Sequence, residues 1–138
     1  MRATLLAAFD HGVNFFDTAD VYGQGDSERL QGQVFRGKRQ EVILCTKAGL
    51  TVDISETLIR WAKPVVGHIL RRWKRGQQQI AIARRQVEKH SFQPNYLRRR
   101  IESSLRRFQT DYIDIFLLHG PPVSVIKSGT ATDVLAKA

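Results

Sequence analysis

Cysteine is nearly absent from this 138-residue chain: Cys45 stands alone. That excludes an intramolecular disulfide framework and suits a reducing compartment. Long apolar runs are also lacking, and none approaches the roughly 18 residues of a membrane span. The apolar run Leu5–Phe9 stops at Asp10. It is too short for the hydrophobic region of a secretory signal, so the chain is expected in the cytoplasm. Acidic residues are scarce in one stretch. Between Arg60 and Arg107 there are fourteen Lys/Arg and only two acids, Glu88 and Glu102, whereas the rest carries eight Lys/Arg and eleven acids. One segment therefore produces the whole net charge of +9. No repeat or low-complexity segment occurs.

What is present is ordinary for a globular domain: 42% hydrophobic and 25% charged residues, in a length that can bury one core. Arg2 to Asp10 reads as a helix with Leu5, Leu6 and Phe9 on one face, ended at His11-Gly12. Val13 to Asp17 reads as a strand. A second helix is expected from an N-cap at Asp26 or Ser27 to near Gly37, burying Leu30, Val34 and Phe35. Val42 to Lys47 is the second strand. Gln93-Pro94-Asn95 opens a helix in which Leu97, Ile101, Leu105 and Phe108 recur at helical spacing while arginines cover the other faces. Tyr112 to Leu118 is the third strand, and a further helix begins near Thr132. Strands alternating with helices predict an α/β fold with a parallel sheet.

Three of these apolar runs end on residues able to do acid–base chemistry. Phe15-Phe16 leads into Asp17, Val42–Thr46 into Lys47, and Tyr112–Leu118 into His119, while Tyr22 lies in the glycine-punctuated loop after the first run. In a parallel β/α barrel, strand C-termini converge on the face that holds the active site. A phenol has a reference pKa of ~10, and a nearby ammonium favours its ionised form. A Tyr acid beside a cation and an imidazole suits polarising a carbonyl while a nucleophile, such as hydride, attacks its carbon. Each residue taken singly also fits a solvated strand end or a turn. The combination is the more specific signal.

The stretch Asp17-Thr18-Ala19-Asp20-Val21-Tyr22-Gly23 resembles the DTAxxYG signature of the aldo-keto reductases, preceded by Gly12-Val13-Asn14-Phe15-Phe16 as in that family. Ser27-Glu28, Thr46-Lys47, Ser104-Leu105-Arg106-Arg107 with Asp111-Tyr112-Ile113-Asp114, and Leu117-Leu118-His119 are similar to further family stretches. The resemblance implies NADPH-dependent, less often NADH-dependent, reduction of an aldehyde or ketone on a (β/α)8 barrel. It implies Tyr22 as general acid, Lys47 as the partner that lowers its pKa, Asp17 as the support of Lys47, and His119 as the residue orienting the carbonyl. A complete barrel typically needs about 250 residues. The resemblance further implies that the chain holds strands two to four of eight, a partial TIM barrel lacking most of the cofactor contacts. An open sheet of this kind invites self-association through its edges, and the isolated chain is expected to turn over little or not at all.

Residues 51–92 break the β/α rhythm and are expected to form a basic helical insert, with helical pieces at Ser55–Ala62 and Val65–Val87. His68-Ile69-Leu70-Arg71-Arg72-Trp73-Lys74-Arg75 mixes basic and aromatic residues, a composition found on nucleic-acid and membrane-surface faces. A solvated helix with outward arginines is the favoured reading, and nucleic-acid binding is not expected. A middle reading has the insert shape the substrate pocket and attract anionic substrates or cofactor phosphates. The alternative for the whole chain is a non-catalytic fragment acting as a basic interaction module.

Overall fold

A computed structural model describes residues 1–52 and 88–136. The helical pieces expected at Ser55–Ala62 and Val65–Val87 lie outside the described residues. Helix α1, Arg2–Asp10, rests Leu5, Leu6, Ala8 and Phe9 against the core. Strand β1 is Phe15–Asp17, helix α2 is Asp26–Phe35, and strand β2 is Ile43–Ala48. Strands β3, Leu50–Val52, and β4, Glu88–His90, pair antiparallel with Leu50 opposite His90. Helix α3, Pro94–Phe108, strand β5, Ile115–Leu118, and helices α4, Val123–Ser128, and α5, Thr130–Leu135, complete the order.

The chain divides into two units, Leu50–His90 and the remainder. In the smaller unit, the described elements are the paired strands β3 and β4. Both strands were missing from the sequence expectation, which gave this region helices alone.

In the larger unit, β1, β2 and β5 form a parallel sheet in the order β1-β2-β5. The register sets Phe15 beside Ile43, Asp17 beside Cys45, Cys45 beside Ile115 and Lys47 beside Leu117. Because side chains alternate along a strand, these residues share one face of the sheet. Phe16, Leu44, Thr46 and Ala48 point to the other face, where the core lies. One cluster there joins Phe16, Val34, Phe35, Val42, Leu44 and Phe108. A second joins Ala48, Leu97, Ala131 and Val134. The first face stays open: Phe15 is 46% exposed and Leu117 42%. Helices therefore cover one side of this sheet among the described residues, as they do on the outside of a barrel wall.

Several boundaries differ from expectation for identifiable reasons. Helix α2 is capped by Gly25 in a left-handed conformation, φ +83°, not by Asp26 or Ser27. The Ser27 hydroxyl accepts a hydrogen bond from Thr18 at 2.7 Å, and Asp26 pairs with Arg29 at 3.0 Å. Helix α2 also ends at Phe35, before Gly37. Strand β5 starts at Ile115 rather than Tyr112 because Arg39 claims the preceding residues. Its guanidinium lies 3.7 Å from the Tyr112 ring centroid, donates to the Tyr112 carbonyl at 3.0 Å and pairs with Asp114 at 2.7 Å. The final helix begins at Thr130, and the short α4 before it was not foreseen.

Helices α2 and α3 meet at Gly32, where an added Cβ would collide with the backbone of Phe108. Helix propensity alone favours Ala over Gly by about 1 kcal/mol, but overpacking typically costs about 1–3 kcal/mol. Gly32→Ala is expected to lower stability in urea unfolding. A variant as stable as the parent would contradict the close approach of these helices.

Candidate functional site

The three parallel strands deliver their C-terminal residues side by side. Strand β1 ends on Asp17, β2 carries Lys47 next to its last residue, and His119 follows β5. The loop after β1 keeps pairing along β2: the Thr18 amide donates to the Cys45 carbonyl at 2.9 Å and the Asp20 amide to the Lys47 carbonyl at 3.0 Å. Across β2, the His119 amide donates to the Ala48 carbonyl at 2.8 Å. The turn at Tyr22–Gly25 then projects the Tyr22 ring over this corner.

All four residues singled out from sequence meet here. The Lys47 ammonium donates to Asp17 Oδ1 at 2.5 Å and to the Thr18 carbonyl at 2.8 Å. Its Nζ lies 5.9 Å from the Tyr22 ring centroid. The Tyr22 and His119 rings meet edge to face, with centroids 6.0 Å apart at 88°. Tyr22 remains 47% exposed, so its hydroxyl group belongs to a residue open to solvent. His119 Nδ1 is buried and has no hydrogen-bond partner among the described residues.

Burial opposes ionisation of Asp17, yet hydrogen bonds from Lys47 and Cys45 and the nearby charges of Lys47 and His119 outweigh it and hold the carboxyl below its ordinary value. Burial and the adjacent Asp17 push the Cys45 thiol up to about 11, which keeps it a neutral packing residue.

A layer of buried ion pairs lies behind this corner. Glu28 is fully buried and accepts a hydrogen bond from the Thr46 hydroxyl at 2.7 Å, while pairing with Arg107. Asp20 is 2% exposed and pairs with Arg100 at 2.5 Å. Burial raises the Asp20 carboxyl despite the neighbouring Arg100. Sequence reading placed the arginines of α3 on outward faces, and Arg100 and Arg107 instead turn inward. The signal was available in the spacing. Glu28, Gln31 and Phe35 share one helical face, as do Leu97, Arg100, Ser104 and Arg107.

The donor set fits the reacting end of a nicotinamide-dependent reduction: a phenol, a held ammonium and an imidazole with an unpaired buried nitrogen. The dinucleotide's phosphates need further basic groups. Of the described cations, Lys47 stands beside Tyr22 and is already held by Asp17. No described residue is therefore assigned to the phosphates.

This arrangement, a parallel strand array with a polar cluster at its C-terminal end, is that of a β/α barrel enzyme wall. The aldo/keto reductase family model matches residues 1–135. The chain belongs to that family. It is 32% identical over 120 residues to aldo-keto reductase YhdN of Bacillus subtilis, covering 86% of this chain and 27% of that protein. The holo form of aldo-keto reductase AKR11C1 from Bacillus halodurans superposes with a TM-score of 0.70 at 26% identity, covering 99% of this chain and 36% of that one. An aldo/keto reductase from Klebsiella pneumoniae, solved with NADP and acetate, gives a TM-score of 0.56 at 25% identity, covering 99% of this chain and 34% of that one. The chain thus spans 27–36% of the length of these relatives.

The Asp17–Lys47 pair has a defined pH dependence. A carboxyl held below its unfolded value contributes stability that is complete above that value and lost as pH falls through the lower folded one. Asp17 is expected to titrate below the ordinary aspartate value when followed by carbon NMR, and Lys47→Met should move its midpoint upward. An ordinary or raised midpoint, unchanged by that substitution, would contradict the pairing.

Proposed function

We propose that this chain carries the proton-donating half of an aldo-keto reductase site, which reduces a small aldehyde or ketone to an alcohol. The observation that carries the reading is the contact of the Tyr22 ring with both Lys47 and His119 at the ends of adjacent parallel strands. Tyr22 acts as general acid, giving its hydroxyl proton to the carbonyl oxygen. The Lys47 ammonium favours the phenolate left behind, and Asp17 fixes that ammonium by a charge-assisted hydrogen bond. His119 orients the carbonyl oxygen by hydrogen bonding. NADPH, or NADH, would when bound supply a hydride for the carbonyl carbon.

The lone buried thiol favours a reducing compartment, and we place the protein in the cytoplasm. Residues 1–138 then form one partial reductase domain, with the basic stretch at about 51–92 inserted after β2. No described helix is long and apolar enough to cross a membrane.

General acid catalysis contributes typically about 10²–10⁴-fold. Turnover by this chain is expected to lie far below that of its longer relatives, since positioning of the hydride donor supplies a large share of barrier reduction. NADPH oxidation is followed with a panel of aldehydes and ketones, using the chain and Tyr22→Phe matched by circular dichroism. Slow oxidation that drops to background in Tyr22→Phe supports the reading. Equal rates would remove Tyr22 from the chemistry. No oxidation with any panel member would overturn reduction by the isolated chain.

A further inference from the structure

Helices α2 and α3 enclose a second polar site on the larger unit. A cleft of about 380 Å³ between them is lined by Arg29, Gln33, Ser103, Arg106, Arg107 and Gln109. Among the described residues lining it there is no carboxylate. None of the four residues assigned to carbonyl reduction contributes to it. We infer that this cleft binds a small soluble anion bearing phosphate groups, with the guanidinium of Arg106 as its main ligand.

The three guanidinium groups differ in how they are committed. Arg107 is anchored from behind by buried Glu28 and donates to the Ser104 hydroxyl at 3.2 Å. Arg29 is tied to Asp26 at 3.0 Å and to the Gln24 carbonyl at 3.3 Å. Among the described residues Arg106 has no carboxylate partner, and it donates through one nitrogen to the Ser103 hydroxyl at 2.9 Å. A guanidinium offers five donors in a planar fork. The anchoring bonds fix each fork while leaving donors over, and a phosphate group, with more acceptor oxygens than a single carboxylate, can engage several such forks at once. Charge points the same way. Asp26 and Glu28 offset Arg29 and Arg107, and among the described residues no ion pair offsets Arg106.

Helix electrostatics gives a competing account, because cations in a last turn complement the helix dipole. It covers Arg106 and Arg107 at the end of α3. It does not cover Arg29, which comes from the other helix. Nor does it cover Gln109, which caps α3 in a left-handed conformation at φ +59° where glycine is the ordinary residue. Holding a long amide there costs backbone energy that a glycine would not, and the amide side chain lines the cleft. A ligand site accounts for both.

Inorganic diphosphate is the probe, titrated calorimetrically into the 138-residue chain at constant ionic strength. One-to-one saturable binding is expected, weakened at least tenfold in Arg106→Gln. Arg98→Gln removes the same charge from an exposed position of the same helix outside the cleft, and should change affinity less than twofold. Gln109→Gly should raise the unfolding midpoint while weakening binding, a pairing that a purely structural role for Gln109 does not produce. Equal losses from Arg98→Gln and Arg106→Gln would show diffuse attraction and overturn the site. Absence of saturable binding would overturn it as well. Co-sedimentation with phosphatidylglycerol vesicles without diphosphate binding would assign the arginines to a lipid surface instead.

Discussion

Glu28 is a carboxylate buried to zero exposure in a small sheet-and-helix unit, and the geometry of the reactive corner depends on how it is satisfied. A buried charge is tolerated only when paired and hydrogen-bonded, and removing one partner of such a pair generally costs about 3–5 kcal/mol. Here the partners come from two other elements. Thr46 on β2 donates to one carboxylate oxygen, and Arg107 on α3 pairs with the other. Helix α2, strand β2 and helix α3 are therefore pinned at one point, directly beside Lys47. The close approach at Gly32 lets the two helices come near enough for that pairing. Ser27, next in sequence to Glu28, accepts from Thr18, whose carbonyl in turn receives the Lys47 ammonium. The ion pair thus reaches the site by two routes that combine hydrogen bonds with steps along the backbone: through Thr46 to its neighbour Lys47, and through Ser27 and Thr18 to the Lys47 ammonium.

Much of this arrangement was legible in the residues. The apolar runs before Asp17, Lys47 and His119 identified the strands, and the alternation with helices gave their parallel order. Helix α1 matched its expected span because Gly12 and the apolar face mark it without competition. Strand β5 was overestimated at its start. Tyr112 and Asp114 look like strand residues until Arg39, distant in sequence, takes their carbonyl, ring and carboxylate. The N-cap of α2 was misplaced for a similar reason: Asp26 and Ser27 are good capping residues, but their oxygens are already used by Arg29 and Thr18. The inward arginines were harder still. An arginine on an amphipathic helix reads as solvated, and only the matching acids on α2 and the preceding loop show otherwise.

The arginines of α3 differ in their partners. Arg100 and Arg107 are committed to buried carboxylates and hold the wall together. Arg106, one position away, faces the outer cleft without such a partner. The open sheet face belongs to the same architecture. Phe15, Ile43, Ile115 and Leu117 line the side of the sheet opposite the helices, where a complete barrel packs its interior. With 27–36% of its relatives' length, the chain holds one sector of such a barrel.

This sector alone brings Tyr22, Lys47 and His119 together. Aromatic nuclear Overhauser spectroscopy on the isotope-labelled chain tests it most directly. Rings whose centroids lie 6.0 Å apart edge to face should give cross-peaks between Tyr22 and His119 ring protons. Those peaks should persist alongside contacts from the Lys47 side chain to the Tyr22 ring. A folded chain, with the Phe16–Phe35 core contact intact and no Tyr22–His119 cross-peak, would contradict the account.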